Sequence, residues 1–376
     1  MGIHAKRDLL DCAKFLAPNL FDDCNNRIST GIFSKAQKPS VYFIEFDKRA
    51  PFNRLHRASI FGIDQSVVCL VEMEGGDINY EDRMGNTPMG DTPLGWAAGN
   101  GHEAVVKLLL GRADINPDKS GEHGWTPLML AVSCGPEEVV KMLLGRDDVN
   151  PEKSDRGGLT PLLIATHKGR ERVVKMLLGR DGVNPDKSDN EGKTPLGCAT
   201  RLGHAGVVEI LLRRDEVNPD KPDNYGTTPL CWAAYNGNEG VVKMLLGRDD
   251  VNPNQPDQHG QTLLGAAASR GQEGVVKILL GRGDVDPNQP GASGQTPLFW
   301  AAFRGHEGVV KILLERSDVN PDKPDNTGQT PLYCATENGH AGVVEILLGR
   351  TTSTPTTLIR TAKHRSSGLL TVGMRE

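Results

Sequence analysis

The sequence predicts an all-α repeat solenoid of helix–turn–helix units with projecting β-hairpin fingers. Three observations carry that prediction. A Thr-Pro-Leu step begins at Thr92, Thr126, Thr160, Thr194, Thr228, Thr296 and Thr330, with Thr262-Leu263-Leu264 in the remaining slot, and every interval is 34 residues. An apolar core follows in the same phase, reading VVKLLL from Val105, VVKMLL from Val139, VVEILL from Val207 and VVKILL from Val309. The 44 glycines and 24 prolines are periodic, so a load that would otherwise signal disorder marks turns instead.

Each element follows from local chemistry. Thr is a good N-cap and Pro is tolerated at the first helical position, so Thr-Pro opens a short helix. A glycine nine residues on (Gly101, Gly135, Gly169, Gly203, Gly237, Gly271, Gly305, Gly339) is expected to close it in the left-handed conformation. Val-Val-Lys-x-Leu-Leu then forms a second helix with one apolar face. The Asp-Val-Asn-Pro-Asp-Lys stretch that follows is turn chemistry and should project as an extended finger. So small a helix pair cannot bury its apolar face alone, and stacking on neighbours must supply the core.

These residues resemble the ankyrin repeat over roughly four-fifths of the chain. The resemblance implies a protein-binding solenoid whose partners dock on the concave face and the finger bases. Two features depart from the family. The usual unit has about 33 residues, and the extra one is placed in the finger around Pro117, Pro151 and Pro185. The His that usually follows Thr-Pro-Leu is replaced by Gly95, Met129, Leu163, Gly197, Cys231, Gly265, Phe299 and Tyr333. A worn leading repeat runs from Leu55-His56-Arg57-Ala58 through Val67-Val68 to Asp77-Ile78-Asn79. After it, Gly85-Asn86-Thr87-Pro88-Met89 is nearly repeated as Gly90-Asp91-Thr92-Pro93-Leu94, a five-residue duplication that lengthens the first finger. The array is thus assigned to residues 51–350, as one degenerate and eight regular repeats.

Residues 1–50 lie outside the repeat. Leu9, Leu10, Ala13, Lys14 and Leu16 predict an amphipathic helix that caps the array. The opening Gly2-Ile3-His4-Ala5-Lys6-Arg7-Asp8-Leu9, with the Leu-His-x-Ala repeat and runs such as Asp318-Val319-Asn320-Pro321-Asp322-Lys323-Pro324-Asp325, resembles the C-terminal portion of fungal NACHT–ankyrin proteins. Those are NOD-like receptors (NLRs), and the resemblance implies the sensor arm of an immune or self/non-self receptor. The nucleotide-binding part is not in this sequence. An alternative is a ubiquitin-ligase adaptor with a degraded F-box around Leu16-Ala17-Pro18-Asn19-Leu20. Residues 351–376, rich in Ser and Thr with Arg360, Lys363, Arg365 and Arg375, are expected to form a disordered tail.

Composition narrows the partners. A formal charge of −5 gives no general pull toward nucleic acid or anionic membrane. No apolar run approaches the roughly 18 residues a membrane span needs, and no hydrophobic signal core opens the chain. Lys6 stands where an N-myristoylation signal needs Ser or Thr. The odd cysteine count, seven, with no C-x-x-C pair, predicts free thiols in a reducing cytosolic or nuclear compartment. Several fall at helix positions, where Cys behaves as a small hydrophobe. A monomer that binds a protein partner is expected.

The chain is predicted not to be an enzyme and to take no cofactor or metal. Gly192-Lys193-Thr194 ends like a phosphate-binding loop, but Lys187 occupies the position of its first glycine. His102, His204, His306 and His340 share one phase, yet helix layers roughly 8–10 Å apart cannot share an ion at about 2 Å bond lengths. They are read as structural turn histidines. The Asp-rich fingers, such as Asp186-Lys187-Ser188-Asp189, lack the spacing and terminal Glu of a calcium loop.

Binding is expected where repeats differ. The second helix barely changes, whereas the two residues before the first-helix Gly vary, as does the residue before each Thr. The candidate partner-binding stripe comprises Trp125, His167, Lys168, Arg201, Tyr235, Asn236, Arg270, Phe303, Arg304 and Asn338. Aromatic and Arg side chains supply most interface hot spots, which favours Trp125, Arg201, Tyr235, Arg270, Phe303 and Arg304. Trp96, Trp232 and Trp300 are expected to pack within the helix layer.

Overall fold

A computed structural model describes residues 92–350 apart from 122, 258 and 259, together with positions 55, 59, 62, 78 and 79. The expected N-terminal cap, the F-box-like segment, the five-residue duplication apart from its last three residues, most of the worn repeat and the C-terminal tail lie outside the described residues. Of the worn repeat, Leu55 and Ile78 are buried in the core of the array.

Eight first helices open at the Thr positions: α1 Pro93–Asn100, α3 Pro127–Cys134, α5 Pro161–His167, α7 Pro195–Leu202, α9 Pro229–Tyr235, α11 Leu263–Ser269, α13 Pro297–Arg304 and α15 Pro331–Glu337. Each is followed by a second helix: α2 Glu103–Leu110, α4 Glu137–Leu144, α6 Glu171–Leu178, α8 Ala205–Leu212, α10 Glu239–Leu246, α12 Glu273–Leu280, α14 Glu307–Leu314 and α16 Ala341–Leu348. First helices stack on first helices and second on second. The Val-Val pairs from Val105-Val106 to Val309-Val310 sit between the layers, almost wholly buried. At about 25 cal/mol per Å² of apolar surface removed from water, this continuous strip is the main favourable term of the fold.

The Thr caps form as local chemistry predicts. In all eight repeats the Thr Oγ1 accepts the backbone N–H three residues on, at 3.0–3.3 Å. Each cap contributes about 1 kcal/mol. Seven of the eight closing glycines are left-handed, with φ between +67° and +77°. Gly135 is the exception, at φ −76° and ψ 164°. Pro136 follows it, and a following proline forces the preceding residue into extended geometry.

The fingers differ from expectation. No strand occurs among the described residues, so the predicted β-hairpins are tight turns instead. Pro117, Pro151, Pro185, Pro219, Pro253, Pro287 and Pro321 each remove a donor that a ladder would need. The turn is closed by an aspartate: Asp189 Oδ1 accepts the N–H groups of Glu191 and Lys193, both at 2.9 Å, and Asp223 Oδ1 those of Tyr225 and Thr227, both at 3.0 Å. Successive turns are joined by paired bonds from one asparagine: Asn224 donates its N–H to Glu191 O and its side-chain Nδ2 to Asn190 O, both at 3.0 Å.

Three kinds of side-chain tie bind repeats to those before them. The first comes from the residue after the closing Gly. His204, His306 and His340 each place Nε2 3.1 Å from a backbone carbonyl of the preceding first helix, those of His167, Ser269 and Phe303. Asn238 reaches the Thr200 carbonyl at 3.0 Å, and Gln272 that of Tyr235 at 3.3 Å. Polar residues of different shape thus do one job, consistent with structural turn histidines.

The second tie is an arginine just beyond the second helix. Arg248, Arg282 and Arg316 donate to the carbonyls of Leu212, Leu246 and Leu280 at 2.7, 3.1 and 2.8 Å, and Arg146 to that of Leu110. A cation at a helix C-terminus also meets the negative end of the helix dipole. Each guanidinium is held in a fork by the Asp two residues on, as Arg248 is by Asp250 at 2.7 Å. The same bond holds the Asp250 carboxyl below the usual range.

The third tie lies in the Asn-Pro-Asp run. Asp186 Oδ2 accepts the N–H of Asn218 from the next repeat at 2.8 Å, and Asp220 Oδ2 that of Asn252 at 2.7 Å. Lys187 and Lys221 donate to the carbonyls of Glu152 and Asp186 at 2.7 and 2.8 Å.

Candidate protein-binding face

The variable positions sit at the C-terminal ends of the first helices, where the Thr cap and the closing Gly hold them in register from repeat to repeat. Lys168, Asn236, Arg270 and Asn338 are the residues at which the first helices α5, α9, α11 and α15 end. His167, Arg201, Tyr235, Phe303 and Arg304 occupy the last turn of their helices.

The structure brings several of them together. The Arg201 guanidinium lies 5.8 Å from the centroid of Trp232, one repeat on. Trp232 meets Tyr235 edge-on at 6.1 Å, and Arg270 of the following repeat lies 3.9 Å over the Tyr235 ring. Asn236 donates to the Arg201 carbonyl at 2.9 Å. Two rings flanked by two cations therefore cross three repeats, each cation–ring contact contributing about 0.5–1 kcal/mol. Phe303 forms a second cluster with Phe299 (6.4 Å, stacked) and Trp300 (6.0 Å, edge-on), and Arg304 lies 5.4 Å from the Phe303 ring.

Trp125 and Asn338 stand apart from these clusters. Trp125 packs on the core and donates its indole N–H to Asp155 of the next finger at 3.1 Å, so its polar edge is committed within the array. Asn338 turns back to the Cys334 carbonyl at 2.8 Å. His167 and Lys168 are exposed at the other end of the stripe. Partial burial, together with the positive charge of Arg201, Lys168, His204 and Lys193, lowers the His167 pKa.

Sequence reasoning missed the tryptophans. Trp232 and Trp300, expected within the helix layer, are only half buried and supply ring faces to the stripe. Trp232 is oriented by its indole N–H, which donates to Asp223 at 3.0 Å. The i, i+3 spacing of Trp232 with Tyr235 and of Trp300 with Phe303 was the available signal, because it places both rings on one helix face.

The floor of the stripe between repeats four and five is a dent lined by Lys193, Cys198, Arg201, Asp223 and Trp232. Its enclosed volume, about 10 Å³, is room for a single water rather than a substrate. Burial pushes the Cys198 thiol up to about 11 and the Cys334 thiol up to about 12, so both are protonated at neutral pH and poor nucleophiles. Among the described residues no group of three or more His, Cys, Asp or Glu is placed to hold a metal ion. No helix among them is long and apolar enough to cross a membrane.

Comparison with known proteins fits this geometry. The family described as "Ankyrin repeats (3 copies)" matches residues 55–155, 147–223, 215–290 and 264–357. The chain belongs to the ankyrin-repeat family. Such arrays mediate protein–protein interactions and are typically non-catalytic. The chain is also similar to the serine/threonine-protein kinase VIK of Arabidopsis thaliana, at 35% identity over 83 residues. That match covers 22% of this chain and 17% of the kinase. The His-Arg-Asp and Asp-Phe-Gly triplets of protein-kinase catalysis do not occur in this sequence.

Proposed function

We propose that this ankyrin array is a non-catalytic recognition arm, of the kind carried by NLR-like fungal immune or self/non-self receptors, or a free-standing remnant of one. One observation carries the reading. The atoms that join repeat to repeat are nearly constant, while the first-helix ends change at every repeat and gather rings and cations on one face. A rigid frame with variable contact positions suits recognition of a protein surface, where a few aromatic and Arg anchors carry most of the energy. Free thiols at Cys134, Cys198, Cys231 and Cys334 support a reducing compartment such as the cytosol as its setting.

Two measurements test the reading. Tyr235→Ala, Phe303→Ala and Arg304→Ala together should abolish partner capture and leave the thermal melt nearly unchanged. Undiminished capture removes the stripe as the site. Sequencing the transcript upstream of Met1 tests the receptor assignment: an in-frame NACHT region supports it, and its absence leaves only the free-standing form.

A further inference from the structure

The arginines of this chain fall into two populations. Arg112, Arg146, Arg248, Arg282 and Arg316, beyond the second helices, are each neutralised by the Asp two residues on, at 2.6–2.8 Å. Arg201, Arg270 and Arg304 on the stripe have no carboxylate within ion-pair distance among the described residues, and neither does Lys168. Their side chains make no hydrogen bond there either, and the Arg201 Nε is buried with no partner. Arg270, 3.9 Å over the Tyr235 ring, keeps its in-plane N–H donors free for a planar acceptor.

Charge is segregated accordingly. The chain carries −5 overall, yet the paired variable positions at the first-helix ends hold Lys168, Arg201, Arg270 and Arg304 against one acid, Glu337 in the last repeat. The lowered His167 pKa reflects, after burial, the same crowding of cations.

Spacing and chemistry select the partner. Arg201, Arg270 and Arg304 belong to repeats four, six and seven, and layers stack roughly 8–10 Å apart. An extended peptide advances about 3.3–3.6 Å per residue, so one repeat matches about three residues of bound chain. The rings of Trp232, Tyr235 and Phe303 lie between the cations and suit apolar side chains. Nucleic acid fits poorly: duplex DNA presents a charge every ~1.7 Å, against four cations over five repeats.

Resting on the reading of this face as a protein-binding surface, we propose that the stripe from Lys168 to Arg304 receives an extended acidic peptide segment. Its carboxylates recur about every third residue, with apolar side chains between them.

The test uses the full chain and fluorescence anisotropy with three labelled probes: four tandem Asp-Leu-Gly triplets, the same peptide with Asn for Asp, and single-stranded oligothymidylate. The acidic peptide should bind about tenfold or more tighter than its Asn counterpart and weaken as salt rises. The R201Q/R270Q/R304Q variant should lose that advantage while remaining folded, its melting temperature lowered only by the loss of the three ring contacts. Equal binding of the two peptides, an unchanged affinity in the variant, or tighter binding of the oligonucleotide overturns the proposal. If both peptides bind equally and Tyr235→Ala with Phe303→Ala abolishes both, the stripe still binds protein and only the acidic partner is wrong. If neither peptide responds to any of these substitutions, the stripe fails as a binding site as well.

Discussion

Asp220 and Asn288 occupy the same place in two different repeats, and the difference of one atom matters. Asn288 Oδ1 accepts the N–H of Asn320 at 2.8 Å, while its Nδ2 donates to the Asp318 carbonyl at 2.5 Å. Asp220 accepts from Asn252 in the same way, but its second oxygen is buried with no partner, as are those of Asp118 and Asp186. A carboxylate cannot donate where the amide does. Burial accordingly raises the Asp220 pKa. A group whose folded pKa is raised supplies stability below its ordinary pKa and loses it as pH rises through the folded value. Asp220→Asn should therefore stabilise the array by about 1 kcal/mol at pH 7. The gain should shrink toward zero in acid, where a protonated Asp220 can donate as the amide does. Urea melts at pH 7 and below pH 4 check this, and a gain that does not depend on pH removes the explanation. The Asn-Pro-Asp run reads in the sequence as turn chemistry, but not as a tie between repeats. Its partners are backbone groups 32 residues away, and a backbone group carries no residue signature.

At the scale of the helix pair, the turn between α3 and α4 shows how a broken rule is repaired. In the other repeats the residue after the closing Gly donates its N–H to the first helix, as His204 does to Ala199 at 3.0 Å. Pro136 has no N–H to give, and Gly135 is extended. Arg170 of the next repeat fills the gap, donating to the Ala131 and Val132 carbonyls at 2.9 and 2.7 Å. Where the same position carries His, Asn or Gln it makes one such bond, as at His204, Asn238 and Gln272. Arg170→Ala should thus cost about 2–3 kcal/mol, against about 1 kcal/mol for His306→Ala. Equal losses on chemical denaturation would show that the two bonds of Arg170 have no special part in repairing this turn. The Thr caps and the Val-Val faces were legible because their partners lie within one helix turn. The left-handed glycines were legible for the same reason, and Gly135 could have been excepted from the Pro that follows it. The fingers were misjudged, since a run of turn residues does not reveal whether prolines will interrupt the ladder.

Among the described residues the array behaves as a row of neighbouring repeats whose cores join end to end. Each repeat packs only on the repeats beside it, so stability is a sum of units and junctions. Leu211 in α8 and Leu347 in α16 are equivalent positions, and both are fully buried. Leu211→Ala, at the middle, should cost about 2–5 kcal/mol and separate unfolding into two steps. Leu347→Ala, at the end, should fray the last repeat and leave the rest protected in hydrogen exchange. Identical single-step losses for both would rule out nearest-neighbour behaviour. At this scale the fold was legible from the 34-residue period, whereas the stripe was legible only as a set of positions. Which residues touch across it depended on side-chain directions, as the stacking of Arg270 on Tyr235 shows.

The ties between repeats carry a consequence for how such a chain can be inherited. Arg248, Arg282 and Arg316 reach back to the same carbonyl in successive repeats, so every junction presents nearly the same socket. Removing residues 262–295 would set Arg316 against Leu246 in place of Leu280, with the caps, closing glycines and Val-Val faces still in phase. That deletion should fold, with the smaller heat of unfolding that one missing unit implies, and a molten or aggregated product would contradict it. Copying errors of one whole period are then tolerated by the scaffold. They place different side chains next to one another on the stripe, so the length of the array and the surface it displays can change in a single genetic event.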